Sequence, residues 1–278
     1  MRKHIYFSIL SLLPLCNLQT QDKDQPVNSA GNELYKTISA IPTVPGFIRP
    51  ATGINSFGDW LGNIKLKRDK RVFLYNGSLK RDQSVQFAVL DEPIGNKDLQ
   101  QCADAIMRLR AEYFFSKNDF DSIHFAATDG TVLSFSKWRS GIRYYLSGNK
   151  LNTTFIKNNT ASVHDDFESY LETVFRYAGT HSLASELTAV TDIKNIQPGD
   201  IFIQPGFPGH AMIVTGICVN KEGKKLFMLA QGYMPAQDIH IVKNLLNEKY
   251  SPWYEIPGSG DIITPAWEFR NTQLKRWK

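Results

Sequence analysis

"IQPGDIFIQPGFPGHAMIVTGI", residues 196–217, sets two short apolar runs on either side of a loop rich in Gly and Pro. Gly and Pro punctuate a chain and β-branched runs extend it, so the stretch reads as turn, strand, loop, strand. His210 stands at the mouth of the second strand, after "PGFPG", a loop that lets the backbone approach closely and keeps the imidazole near the surface. A histidine there either satisfies a turn or acts as a general base, provided a nucleophile comes within hydrogen-bond reach. The next run, "KKLFMLAQGY", follows across the "NKEG" turn and ends in Gln231. That amide either closes a strand or orients the imidazole as a third polar member.

Upstream, "DLQQCADAIMRLRAEYFFS" is the strongest helix pattern, with Asp98 as N-cap and Gln101 completing a capping box. Leu99, Cys102, Ile106, Leu109 and Tyr113 recur at helical spacing, which puts Cys102 on the apolar stripe near the helix start. A second helix begins at Ser162, shows Phe167, Tyr170, Leu171, Val174 and Phe175 on one face, and stops at Gly179. "SLASELTAV" suggests a further short helix. "SFGDWLGNI" reads as a helix capped at Ser56, Asn76-Gly77 as a hairpin turn, and "SVQFAVLDE" as a half-buried strand, so the opening is β-rich. Residues 120–160 mix strand candidates with polar loops, and the tail from Lys249 looks wrapped rather than regular. Helices packed on an antiparallel sheet make an α+β domain.

The chain has 278 residues, 42% of them hydrophobic, enough for a real core and incompatible with a disordered tail or a fibre. Residues 1–20 read as an export signal, with Arg2 and Lys3 before a short apolar run; 21–40 as a linker; and 41–278 as one domain. "LPLC" offers Cys16 as an alternative acylation site, the one route by which the chain would be tied to a membrane. No later run reaches the roughly 18 apolar residues of a membrane span. The expected location is therefore outside the cytoplasm.

The net charge of +5 is spread over clusters such as "KLKRDKR" and "LKRWK". It fits ordinary solvated faces, or attraction to anionic wall polymers, and nucleic acid is not an expected partner. Phosphate-binding and dinucleotide fingerprints are absent, as is the Gly-x-Ser-x-Gly elbow, so no cofactor is expected. Asp238 and His240 of "DIH", with His210 or His124, are the one metal combination to weigh, and no ligand spacing supports it. Asp200 reads as a turn residue.

Cys102 and Cys218 have three readings. They form a disulfide, as an oxidising compartment invites; they are inert core thiols; or Cys102 is a nucleophile activated by the positive end of its helix.

The run "IQPGDIFI … GHAMIVTGI" resembles the second half of the NlpC-type cell-wall cysteine peptidases, a papain-like α+β family that cleaves peptidoglycan stem peptides. The resemblance implies that His210 is the base and that Gln231 stands for the third polar residue, within a papain-like part covering about residues 98–245. It also pairs "DDFESYLETVFRYAGTHSL" with the family's nucleophile helix, which opens Asp-Cys-Ser-Gly; here Phe167 holds the cysteine's place. Two expectations follow: a hydrolase of peptidoglycan-type amide bonds with Cys102 as the substitute nucleophile, or an inactive papain-like domain that binds wall fragments, peptide or glycan, or acts as a scaffold. Over its whole length, including "LQQCADAIMRLRAEY" and "LAQGYMPAQD", the chain resembles an uncharacterised bacterial family of exported proteins of unknown function.

Overall fold

The computed structural model describes residues 35–157, 162–258 and 260–278. The expected export signal, Cys16 and most of the expected linker lie outside the described residues. The packed unit, Tyr35–Lys278, already includes residues assigned to the linker, because Ile38 is fully buried in the core.

The described residues form five α-helices: α1 (Phe57–Asn63), α2 (Cys102–Ser116), α3 (Phe135–Arg139), α4 (Val163–Tyr177) and α5 (Thr180–Glu186). Ser56 and Ser162 cap α1 and α4 as expected, each accepting from the backbone N–H three residues on. At α2 the structure corrects the expected start. Gln101 is the N-cap, with Asp104 completing the box by accepting from its N–H at 3.0 Å. The Asp98 carboxylate turns instead to the backbone N–H of Ala236 at 2.7 Å. Cys102 is therefore the first helical residue.

The strands in order are β1 (Phe47–Ile48), β2 (Gln86–Val89), β3 (His124–Ala126), β4 (Val132–Ser134), β5 (Ile142–Ser147), β6 (Lys150–Phe155), β7 (Leu187–Ala189), β8 (Ile201–Gln204), β9 (His210–Asn220), β10 (Lys225–Gln231), β11 (His240–Val242), β12 (Tyr254–Glu255), β13 (Asp261–Ile263), β14 (Glu268–Arg270) and β15 (Leu274–Trp277). The principal sheet runs β2-β11-β10-β9-β8-β15-β7, every neighbouring pair antiparallel. β3–β4, β5–β6 and β13–β14 are separate hairpins. The protein is thus a mixed α+β structure of antiparallel sheets and few helices.

Both faces of the principal sheet are covered, which is why its central strands read as nearly unbroken apolar runs. Ala211, Ile213, Met228 and Ala230 join the core beneath α2, α4 and α5. Met212, Val214, Phe227 and Leu229 face the other way, against Ile262 and Phe269 of the β13–β14 hairpin. The tail is more regular than its Trp- and Pro-rich sequence suggests: β15 enters the sheet between β8 and β7. Arg276 on β15 holds the Asp200 carboxylate through two contacts, 2.6 and 2.8 Å, while Asp200 also accepts from the Gln197 N–H at 2.9 Å. Asp200 is accordingly a structural turn residue.

α4 is locked to α2 by a fork. Buried Arg108 donates to both carboxylate oxygens of Glu168, at 2.9 and 2.6 Å, and to Glu112 at 2.9 Å. One residue before Glu168, Phe167 is fully buried, its ring stacked 4.3 Å from that of Phe115. Phe167→Ala should cost about 3–5 kcal/mol of stability, read as a lower urea midpoint at unchanged slope. A loss below about 1 kcal/mol would contradict this packing.

Candidate functional site

A cleft of about 340 Å³ opens at the end of the principal sheet where α2 begins. Cys102 and Asp104 border it from α2, Thr180 from α5, His210 from β9, and Tyr233 and Met234 from the loop after β10. Two glycines permit this crowding. A Cβ on Gly209 would stand 2.6 Å from the Thr180 hydroxyl, and one on Gly232 would stand 2.8 Å from the Gln101 carbonyl. Side chains there would push the loops carrying His210 and Gln231 off the start of α2.

The structure brings His210 and Gln231 together. His210 Nε2 lies 2.8 Å from Gln231 Oε1. The direction of that bond is set further along the sheet, by His240, which the sequence offers only as a metal-ligand candidate. Gln231 pairs with His240 across β10 and β11, and its Nε2 is 3.3 Å from His240 Nε2. His240 Nδ1 is 2.9 Å from the backbone carbonyl of Asp238. A carbonyl only accepts, so His240 Nδ1 carries its proton and, in the neutral ring, Nε2 accepts from the Gln231 amide. The Gln231 oxygen must then face His210, whose Nε2 donates and whose Nδ1 keeps a free lone pair.

Burial keeps both imidazoles neutral. Desolvation lowers the His210 pKa to about 4, with the Gln231 hydrogen bond opposing, and lowers that of His240 to about 4 as well. Tyr233, Trp267 and Phe269 surround the His210 ring, with centroids 5.1, 5.4 and 6.0 Å away.

Cys102 sits at the first position of a 15-residue helix, yet its pKa moves opposite to the expectation drawn from the helix dipole. Burial pushes the thiol up to about 11 and the Asp104 carboxylate adds to the rise, against smaller stabilisation of the thiolate by backbone groups of Ala103 and Ala211. Desolvation outweighs the dipole here. Asp104 is itself raised to about 8 by burial, and its Oδ1 is enclosed without a partner.

The thiol approaches from the α2 face, against the backbone of Ala211. The adjacent His210 ring packs with Trp267 and Phe269 toward the other face. Both border the one cleft, but no hydrogen bond joins the Cys102 thiol to the His210 imidazole.

Cys218 is buried in the core on β9 and both cysteines are free, which corrects the disulfide reading. α4 sends its C-terminal end, Phe175 and Ala178, to the cleft, so Phe167 in its first turns is a core residue and does not stand where a nucleophile would. Among the described residues no group of three His, Cys, Asp or Glu side chains could hold a metal. None of the described helices is long and apolar enough to cross a membrane.

A family model described as Domain of unknown function (4846) matches residues 38–276. No curated protein and no solved structure matches the chain.

Two measurements test these electrostatics. Alkylation of Cys102 by iodoacetamide, read by peptide mass, should be slower at pH 7 than that of a free cysteine and should climb steeply toward pH 11. A fast reaction at pH 6 would mean a thiolate paired with imidazolium. Asp104, with its folded pKa raised, gives stability that is full below its ordinary value of 3.8 and is lost as pH rises through about 8. Asp104→Asn should therefore gain on the wild type between pH 5 and 8 in urea unfolding, by at most about 1.4 kcal/mol per pH unit. A relative stability that falls over that interval would contradict a buried, protonated Asp104.

Proposed function

Starting from the fact that the chain belongs to the Domain of unknown function (4846) family, whose description names no activity, we propose that it is a cysteine hydrolase of amide bonds acting on peptidoglycan-type peptides outside the cytoplasm. One observation carries the reading: a single cleft holds a thiol at the first residue of α2 and an imidazole whose Nε2–H is tied to Gln231, leaving Nδ1 as the basic nitrogen. The resemblance to NlpC-type enzymes supports it in a revised form. Because the helix whose N-terminus meets the cleft is α2, the reading takes a papain-like core with Cys102 rather than Phe167 at the nucleophile's place.

The mechanism requires substrate binding at the cleft to bring the thiol, on the α2 face of the sheet, within hydrogen-bond reach of the imidazole, which packs toward the other face. The Sγ–H proton passes to His210 Nδ1 as sulfur bonds to the scissile carbonyl carbon. Backbone N–H groups at the start of α2 take the oxyanion. The imidazolium then protonates the departing amine as the C–N bond breaks, leaving a thioester, and the same imidazole draws a proton from the water that hydrolyses it. Gln231 positions the ring throughout. Phe207, fully exposed beside Tyr233 and Met234, frames a mouth suited to an extended peptide or glycan. No cofactor is required.

A second reading, a non-catalytic domain that binds wall fragments, draws on the raised thiol pKa and the missing thiol–imidazole hydrogen bond. Release of new amino groups from purified peptidoglycan separates the two. Cys102→Ala should abolish release with the melting temperature near that of the wild type; His210→Ala should abolish it too, with a lower melting temperature because the buried Gln231 oxygen loses its partner; and Gln231→Leu should lower kcat about 10–100-fold. Full activity in Cys102→Ala would sink the hydrolase. Wall-fragment binding without turnover, persisting in both alanine variants, would establish the binding domain.

A further inference from the structure

A second cavity, about 740 Å³, lies alongside α2 and beneath α1, bordered by the turn before β8 and by the end of β15. Arg110 lines it, eight residues and just over two turns beyond Cys102. Four aromatic rings surround its guanidinium, with the central carbon 4.5 Å from the centroid of Phe114, 4.9 Å from Phe57, 5.3 Å from Trp277 and 5.6 Å from Tyr113. Its Nε is enclosed without an acceptor, and among the described residues none of its nitrogens makes a hydrogen bond or ion pair. Arg108, two residues earlier, engages two carboxylates, so the lack at Arg110 is not a property of the helix.

Trp277 lines the same cavity, and its Nε1 is likewise enclosed without a partner. A guanidinium and an indole N–H can only donate, so one wall carries two kinds of donor and no acceptor for either. The carboxylate on that wall, Asp200, is taken up by Arg276 and the Gln197 N–H. Lys225, also on the wall, gives its ammonium to the neutral carbonyl of Lys194 and adds a second positive charge beside Arg276 near Asp200.

We propose that this cavity binds an oxyanion, the carboxylate or phosphate group of a small molecule, with Arg110 as its charged anchor and the Trp277 N–H as a second donor. The aromatic cage holds the guanidinium flat and partly dry, the condition in which a planar, charge-assisted pair with an oxyanion is strongest. The site is separate from the Cys102 cleft and does not rest on the hydrolase reading.

The test is thermal unfolding of the full chain in sodium phosphate, in sodium succinate and in sodium chloride at matched ionic strength. At tenfold above the dissociation constant, phosphate or succinate should raise the wild-type Tm by about 2–4 °C over chloride, and the larger shift identifies which oxyanion fits. Arg110→Gln should abolish the shift. Trp277→Phe, which keeps the ring and removes only the N–H, should reduce it, and serves if Arg110→Gln folds poorly. Shifts no larger than in chloride, or an undiminished shift in either variant, would overturn the site.

Discussion

A single backbone carbonyl sets the chemistry of the cleft. The oxygen of Asp238 accepts from His240, which fixes the His240 tautomer, then the orientation of the Gln231 amide, and finally the nitrogen of His210 that is left free. Each link is buried, so water cannot substitute for a misdirected partner, and reversing any one would leave two donors or two acceptors facing each other. Asp238 is itself anchored: its carboxylate pairs with Lys67 at 2.7 Å and accepts the Phe73 N–H at 2.8 Å. The basic nitrogen of His210 is thereby tied to packing in the N-terminal third of the chain.

Opposed to that fixed base is a thiol at rest. Burial disfavours charge on both groups, raising Cys102 and lowering His210, so the stable free state is the neutral pair. On the proposed hydrolase reading, reactivity would arise only when a ligand brings thiol, imidazole and carbonyl together, which would also protect the cysteine from adventitious oxidation. Asp104 reinforces the rest state. It caps α2 as an acceptor, and because it stays protonated to about pH 8 it places little negative charge beside the sulfur at neutral pH.

What was legible in the sequence follows from which constraints are local. The three strands within residues 196–231, the helices capped by Ser56 and Ser162, and His210 with Gln231 as cleft and strand-end residues all come from short-range patterns of turn residues and apolar spacing. His240 escaped as a positioning residue because its role depends on the register that sets it opposite Gln231, and a "DIH" motif carries no trace of that pairing. The resemblance of residues 165–183 to a nucleophile helix is a likeness of sequence, which does not say which end of a helix meets the sheet edge. The insertion of β15 between β8 and β7 joins segments about 70 to 90 residues apart and is invisible to any local window. Asp98 misled through a lawful capping pattern that lost to a tertiary bond with Ala236.

The account stands or falls on the protonation of His210 in the resting protein. Long-range nitrogen–proton NMR on protein labelled in its histidines distinguishes a protonated from an unprotonated ring nitrogen directly. At pH 6 the prediction is that His210 carries its proton on Nε2 alone and His240 on Nδ1 alone. A His210 protonated on Nδ1, or on both nitrogens, would break the chain from the Asp238 carbonyl and remove the base on which the proposed chemistry depends.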